Sequence, residues 1–236
     1  MMIFLNFFMG TILGSHALVV VERNYNKSFV TSFSRCDTCH YPLTLLDQIP
    51  LFSYLLKRGK CSHCKEPISP FIFFIELFSG LCFSKIFLFS QIGFSSGTFL
   101  FFFLVCALFD YYFLEFETIL LLVPFTISLT ASESSLHFYS AANWLLLLIL
   151  VLLMFYMNLK GKFGTGDTLF FILISLYKGQ IFGLHTLLLS SILFLIFYLF
   201  NRQKDPLPFL PFMLTSYALL YYAKLKNRLI RDGFLT

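Results

Sequence analysis

The feature that most constrains this chain is a succession of long apolar runs separated by short polar segments. The first covers residues 2–21, and after a polar segment seven more follow at roughly 71–90, 97–113, 118–132, 141–158, 168–178, 180–200 and 207–223. About 20 apolar residues in an α-helix span a bilayer, and a helix satisfies its own backbone hydrogen bonds in lipid. We therefore expect an all-α, polytopic membrane protein of about eight transmembrane helices.

Composition agrees with a membrane protein. Of the 236 residues, 58% are hydrophobic and 12% are charged, whereas soluble domains contain about 25% charged residues. The net charge is +5, but in a membrane protein the positions of Lys and Arg carry more information than their sum. Nucleic acid is not expected as a partner.

The sizeable polar segment, residues 22–70, sets the expected topology. It holds seven of the seventeen Lys and Arg residues, so the positive-inside rule places it in the cytoplasm and the N-terminus outside. The expected parts are a first transmembrane helix (1–21), a cytoplasmic zinc-binding domain (22–70) and a multi-helix membrane domain (71–236). With eight spans the basic C-terminal tail would lie outside, so either the rule fails there or one late segment does not span.

In the first apolar run, small residues recur at four-residue spacing. Gly10, Gly14 and the neighbouring Ser15 lie on one helix face. Such a face allows close approach of a second membrane helix, and close packing is the role we expect.

Two C-x-x-C pairs lie in the polar segment. Cys36 and Cys39 are separated by twenty-one residues from Cys61 and Cys64. Four thiolates on two tight turns suit tetrahedral structural zinc, and two disulfides are disfavoured in a reducing cytosol. His40 and His63 could replace a cysteine as ligands, but the interpretation as solvated turn residues is simpler.

A four-cysteine site has no open coordination position and so does no chemistry of its own. We expect the zinc to fold a loop that is too small to build a hydrophobic core.

A glycine-rich stretch ends in an acid at the start of the sixth apolar run. Gly164 and Gly166 flank Thr165 and precede Asp167. In the simplest interpretation Asp167 caps the following helix. An ionisable residue at the edge of a membrane segment is also a functional candidate.

A second acid, Asp110, lies near the expected cytoplasmic end of the third span, at the same depth and face as Asp167. Two close carboxylates share a proton. The ionised one can then take a proton from water while the protonated one polarises a peptide carbonyl, as in aspartic proteases. Glu115 is a possible local supporter of such a site. Glu76, in the second span, is a further embedded acid for which the sequence names no partner.

Several segments together match the pattern of one family. They are Leu13-Gly14-Ser15 with Glu22-Arg23, Arg35-Cys36-Asp37-Thr38-Cys39, Leu46-Asp47-Gln48-Ile49-Pro50, Arg58-Gly59-Lys60-Cys61-Ser62-His63-Cys64, Ile68-Ser69-Pro70 leading to Glu76-Leu77, and Gly164-Thr165-Gly166-Asp167. On these residues the chain resembles the bacterial type IV prepilin peptidases, which are GxGD aspartyl membrane proteases. The resemblance covers nearly the whole chain.

The resemblance implies a catalytic pair, Asp110 and Asp167, in a multi-pass protein of the bacterial cell membrane, that is, the inner or plasma membrane. The substrate would be a prepilin or pseudopilin, cut at the cytoplasmic face after a basic leader that ends in Gly. It also implies N-methylation of the new N-terminal residue, usually Phe, with S-adenosylmethionine as methyl donor. Glu76 and Asp47 match family positions and could have a methyltransferase or a structural role.

Two positions depart from the family pattern. Glu117-Thr118 stands where bacterial members usually carry Pro-Asp, and Leu169 stands where they often carry Lys. Neither change removes a catalytic group, but both put substrate positioning in doubt. They point to a divergent member, of the kind found in the competence systems of Gram-positive bacteria.

Two other classes of function are compatible with parts of the sequence. A non-enzymatic membrane assembly factor could use the zinc loop for docking and the acids for packing. A transporter could use Asp110 and Asp167 as proton carriers, but transporters commonly contain internal repeats, and we find none. A peptidase accounts for the cysteines and both acids together.

Overall fold

The structure, a computed structural model, is built from helices. It describes residues 2–26, 35–36, 38–86, 88–131, 141–201 and 206–231. The α-helices are α1 (Met2–Asn26), α2 (Phe52–Leu56), α3 (Pro70–Phe83), α4 (Gln91–Phe113), α5 (Leu122–Thr130), α6 (Ala141–Leu159), α7 (Thr165–Lys178), α8 (Gln180–Asn201) and α9 (Leu210–Arg231). Short 3-10 helices at Leu45–Gln48 and Thr118–Leu121 precede α2 and α5. The prediction of an all-α protein is confirmed for these residues.

Each expected apolar run contains a helix, but their lengths differ. Among the described residues, α1 over Met2–Arg23, α4 and α8 are long and apolar enough to cross a membrane. The segments Pro70–Phe83, Thr118–Thr130 and Asn143–Leu159 form shorter apolar helices. The expected second span ends early, because α3 stops at Phe83 and is followed by Ser84 and Lys85. The count of about eight spans stays a prediction.

The described residues group into two units, Met1–Phe101 and Phe102–Thr236. In the first unit α1 packs along α3, and the small residues of α1 make the contact. A Cβ atom at Gly10 would lie 2.6 Å from the Cβ of Phe83, and one at Gly14 would lie 2.6 Å from the Cβ of Ser79. The Ser79 hydroxyl donates to the carbonyl of Gly10 at 2.7 Å. The prediction of close packing at Gly10 and Gly14 is confirmed.

In the second unit α7 is the central helix. Helices α5, α6 and α8 each pack against it, and α9 packs against α8. Most side chains of α7 are buried, among them Phe170, Phe171 and Tyr177. The ring of Phe103 on α4 stacks on Phe170 at 4.4 Å between centroids and meets Tyr217 of α9 edge to face. This packing fixes the start of α7 relative to α4 and α9.

Candidate active site and metal centre

Asp167 lies in the first turn of α7, where its carboxylate turns back over the preceding loop. Gly164 is the N-cap residue, and its backbone N–H is hydrogen-bonded to the Asp167 carboxylate. This is half of a capping box, because the N-cap glycine has no side chain with which to reciprocate. The side chain is nevertheless only 8% exposed. The cap interpretation is therefore correct as local structure, and it leaves the acid buried in the interior of the unit.

Asp110 is held by a different helix end. Its Oδ2 accepts a hydrogen bond from the backbone N–H of Leu210 at 3.0 Å, and the N–H of Phe209 also bonds to the carboxylate. Leu210 is the first residue of α9, so the carboxylate lies at a helix N-terminus. Free N–H groups and the helix dipole favour a negative charge there.

The structure brings the two acids together. The charge of Asp110 acts on Asp167, which places the carboxyl groups within electrostatic range of each other. The last turn of α4 and the first turns of α7 and α9 therefore meet at one place. The carboxylate of each acid is hydrogen-bonded to backbone N–H, that of Asp110 to Leu210 and that of Asp167 to Gly164.

The spaces at the two motif glycines are filled by neighbouring side chains. A Cβ atom at Gly164 would lie 2.7 Å from Oδ2 of Asp167, and one at Gly166 would lie 2.5 Å from the ring of Phe116. The backbone at Gly164 is extended, with φ −72°, so that a side chain there is excluded by space and not by conformation. Both glycines are needed for close approach.

Asn158, in the last turn of α6, holds the loop between α6 and α7, here called the glycine loop. With its amide oriented to satisfy all partners, its NH₂ donates to the carbonyls of Phe163 at 2.6 Å and Gly164 at 3.2 Å. Its oxygen accepts from the hydroxyl of Thr168 at 2.9 Å. One side chain thus joins the end of α6, the loop and the first turn of α7.

Sequence reasoning did not single out Asn158, Phe116 or the start of α9. A signal was available for α9, since Pro206, Pro208 and Pro211 mark a helix start. Asn158 is a polar residue at the end of an apolar run, which is a weaker signal. Glu115 and Glu117 are exposed in the loop after α4, and Glu117 is the N-cap residue of the 3-10 helix Thr118–Leu121.

In the first unit, the two C-x-x-C pairs form similar knuckles. A β-bridge closes each one, Arg35 to Pro42 and Lys60 to Pro67. The residue after the second cysteine has a positive φ in both, 56° at His40 and 61° at Lys65. The two knuckles are joined by Tyr41 and His63, whose rings stack at 4.7 Å.

The four cysteine sulfurs form one cluster. Each Sγ lies within 4.8 Å of the others, and those of Cys36 and Cys64 are 3.8 Å apart. Tetrahedral zinc with Zn–S bonds of about 2.3 Å has sulfurs about 3.8 Å apart. The cluster fits the expected metal, and His40 and His63 are not part of it.

Electrostatics within the cluster also favour a cation. Hydrogen bonds from the backbone N–H groups of Cys64 and His63 lower the pKa of Cys61 to about 6. The backbone N–H of Glu66 would lower the pKa of Cys64, but burial and the sulfurs of Cys61, Cys39 and Cys36 together raise it to about 12. A thiolate in the cluster therefore opposes ionisation of a neighbouring thiol, because the two negative charges repel each other. A divalent metal bound between the sulfurs relieves this repulsion.

Glu76 has partners that the sequence could not name. The side chain is 6% exposed, and its Oε2 accepts from the backbone N–H of Leu51 at 2.8 Å. The hydroxyl of Ser15 also bonds to this carboxylate. Leu51 has φ 60° and ψ −49°, a rare and strained γ-turn, in which the N–H of Phe52 bonds to the carbonyl of Pro50 at 2.6 Å. The acid joins α1, α3 and this turn.

Asp47 is also bonded within the chain. Its Oδ2 accepts from the backbone N–H of Thr44 at 2.9 Å, and its Oδ1 accepts from the hydroxyl of Ser62 at 3.2 Å. The ammonium of Lys57 forms an ion pair with the same Oδ1. Asp47 therefore connects the 3-10 helix to the end of α2 and to the second knuckle.

Comparison with known proteins finds a family model that matches the N-terminal part of the chain. Residues 8–90 match the family model described as the bacterial peptidase A24 N-terminal domain. The matched residues include the four clustered cysteines and Glu76, and they end before Asp110. No solved structure matches the chain.

Three curated proteins, each named prepilin leader peptidase/N-methyltransferase, are similar to part of the chain. The protein from Vibrio cholerae is 39% identical over 75 residues, which is 28% of this chain and 30% of the relative. The protein from Myxococcus xanthus is 38% identical over 78 residues, which is 33% of this chain and 23% of the relative. The protein from Klebsiella pneumoniae is 34% identical over 86 residues, which is 33% of this chain and 37% of the relative. The chain thus matches well under half the length of each, and within that part its resemblance to the bacterial type IV prepilin peptidases is confirmed.

Proposed function

We propose that this chain is an aspartyl endopeptidase of the bacterial inner or plasma membrane that removes the leader from type IV prepilins or pseudopilins. The proposal is supported above all by two acids at helix ends, Asp167 being buried and within electrostatic range of Asp110, and Asp110 being hydrogen-bonded to the start of α9. The names of the relatives and the GxGD motif support the same activity.

The chemistry follows from two carboxyl groups that hold one proton between them. The ionised group takes a proton from a water molecule, whose oxygen attacks the carbonyl carbon of the scissile peptide bond. The protonated group donates to the carbonyl oxygen, on which negative charge develops. Collapse of the tetrahedral intermediate breaks the C–N bond, and a proton from the pair passes to the leaving amine. Either acid can serve first as base.

The proposal includes the three expected parts of the chain, which are the first transmembrane helix (1–21), the zinc-binding domain (22–70) and the membrane domain (71–236). It also includes cleavage of the substrate at the cytoplasmic face of the membrane. The cluster of four cysteines would hold structural zinc and so order the segment between α1 and α3. Lys160 and Lys162, beside the glycine loop, favour the cytoplasmic placement under the positive-inside rule.

N-methylation of the new N-terminus is a second activity that the names of the relatives suggest. S-adenosylmethionine would supply the methyl group. The carboxylates of Glu76 and Asp47 are bonded to Leu51, Ser15, Thr44, Ser62 and Lys57 of the chain itself. Of the two expected roles, methyl transfer and structure, these bonds support the structural one.

The test is cleavage of a prepilin-like peptide with a basic leader and a Gly-Phe junction by the full chain in lipid nanodiscs. Asp110→Asn and Asp167→Asn preserve side-chain size, and each is expected to lower kcat at least about a thousandfold. Glu117→Gln, an exposed neighbour, is the matched control and should cleave normally. Undiminished cleavage by either Asp variant contradicts the pair. Absence of cleavage by the wild-type chain favours a non-enzymatic assembly factor.

A further inference from the structure

The loop between α1 and α3 carries an exposed apolar face. The side chains of Phe52, Leu55 and Leu56 follow the i, i+3, i+4 spacing of one helix face on α2, and Leu56 is 82% exposed. Leu45 and Leu46 of the preceding 3-10 helix are also exposed, at 84% and 74%. We call these five side chains the loop apolar face. Tyr54 points the other way, and its ring packs on Phe73 of α3 at 5.2 Å.

Two contacts set the depth of this face along the membrane helices. Glu76 bonds to Leu51, directly before α2, and to Ser15 of α1. Ser15 lies eight residues before Arg23, the end of the apolar part of α1. At 1.5 Å per residue this is about 12 Å inside the end of that segment. The turn at Leu51 therefore lies at the level of apolar helix and not beyond it.

The charges beside the face suit a lipid surface. The exposed Arg58 and Lys60 follow α2, Lys57 being paired with Asp47, and residues 35–69 contain five basic against three acidic residues. An amphipathic element with apolar side chains on one face and cations at its edge binds in the interfacial plane of a bilayer that contains anionic lipids.

We propose that the loop apolar face inserts into the headgroup and acyl-chain boundary of the bilayer, so that the zinc-binding loop rests on lipid. Docking of this kind does not require that the chain be a peptidase. The Glu76 bond to Leu51 and the Tyr54 packing on Phe73 hold the loop against α3 at the necessary depth. The cysteine cluster keeps the knuckles folded beside it.

Tryptophan fluorescence tests this proposal on the full chain. The sequence has one tryptophan, so Trp144→Phe gives a background for single probes. Leu56→Trp places a probe on the loop apolar face, and Thr38→Trp places one on an exposed polar position of the first knuckle. Both variants are reconstituted in nanodiscs of phosphatidylethanolamine and phosphatidylglycerol, with or without bromine on the acyl chains. Acrylamide is the aqueous quencher.

Brominated lipid should reduce the emission of Leu56→Trp at least twofold, and acrylamide should have little effect on it. Thr38→Trp should show the reverse. Quenching of Leu56→Trp by acrylamide alone would mean that the face is in water, and protection from both quenchers would mean that protein covers it. Either result overturns the proposal. Metal content is measured in both variants, and Leu46→Trp replaces Leu56→Trp if the latter loses its metal.

Discussion

The carboxylate of Asp167 occupies the place that a side chain at Gly164 would need. A Cβ atom there would come 2.7 Å from Oδ2 and 3.3 Å from Cγ of Asp167. Real Cβ contacts are longer than this, so one of the two groups has to shift. The movable one is the carboxylate, because it is the far end of a side chain that starts in a buried helix turn.

Gly164→Ala should therefore disable the site without unfolding the chain. We expect kcat for the prepilin-like peptide to fall about a hundredfold, as for misplacement of a reacting group by about 1 Å, with little change in thermal stability. Gly161→Ala is the control. Gly161 has φ 64° and nothing within 4 Å of its missing Cβ, so alanine should lower stability by about 1 kcal/mol and leave cleavage near normal. The assignment fails if Gly164→Ala cleaves as well as this control.

Gly166 and Phe116 should be coupled. Alanine at 166 would meet Cε1 of the Phe116 ring at 2.5 Å and push the ring or the start of α7 aside. We expect Gly166→Ala to lower cleavage about tenfold or more and Phe116→Leu to have a small effect alone. Because the smaller side chain leaves room for the new methyl group, the double variant should recover part of the activity. A double-mutant cycle on kcat/KM measures the coupling, and strictly additive effects would count against the contact.

Asn158 should act as a positioning residue. Its removal frees the carbonyls of Phe163 and Gly164 and the hydroxyl of Thr168, and loss of such bonds costs about 1–3 kcal/mol. Asn158→Ala should lower kcat about tenfold or more with KM little changed, because the loop that carries Asp167 is no longer fixed. Thr168→Val removes one of these bonds and should have a smaller effect. A change in KM alone would indicate a role in substrate binding instead.

Metal removal should unfold the knuckles. We expect one zinc ion per chain in the wild type, measured by mass spectrometry of the purified protein. Cys36→Ser and Cys61→Ser should each lower the zinc content severalfold and make the loop sensitive to protease, because structural zinc supplies the folding energy of such a loop. Cys82→Ala, in α3 and outside the cluster, should keep the full zinc content. Unchanged zinc in either serine variant refutes the four-cysteine site.

The strained turn at Leu51 should depend on Glu76. Glu76→Ala leaves the N–H of Leu51 without its acceptor, and we expect a loss of about 1–3 kcal/mol in the free energy of unfolding. Glu76→Gln keeps an acceptor oxygen and should lose less. Leu51→Gly should be neutral or stabilising by about 1 kcal/mol, because glycine adopts the φ of 60° without strain. Thermal unfolding in detergent ranks the three variants.

Much of the architecture could be predicted from local pattern. Apolar runs predicted the helices, the doubled C-x-x-C predicted the sulfur cluster, and the placement of Asp110 and Asp167 at ends of apolar runs predicted that they could meet. These signals are local, because each depends on spacing within a short stretch of chain.

The parts that could not be predicted depend on contacts between distant segments. The partner of Glu76 is a backbone N–H twenty-five residues away, and every non-proline residue has such a group, so that sequence cannot select Leu51. The early end of α3 was also missed, since an apolar run without helical periodicity does not show where a helix stops. Asn158 matters only because the glycine loop folds back onto α6.

The hydrogen bond between Leu210 and Asp110 joins residues one hundred positions apart. The chain is made from its N-terminus, so Asp110 and Asp167 both leave the ribosome before the segment that supplies the Phe209 and Leu210 N–H groups. A nascent chain that ends before α9 holds both acids but lacks the backbone donors that fix one of them. Completion of the site is thereby tied to synthesis of the start of α9, which comes after both acids have been made.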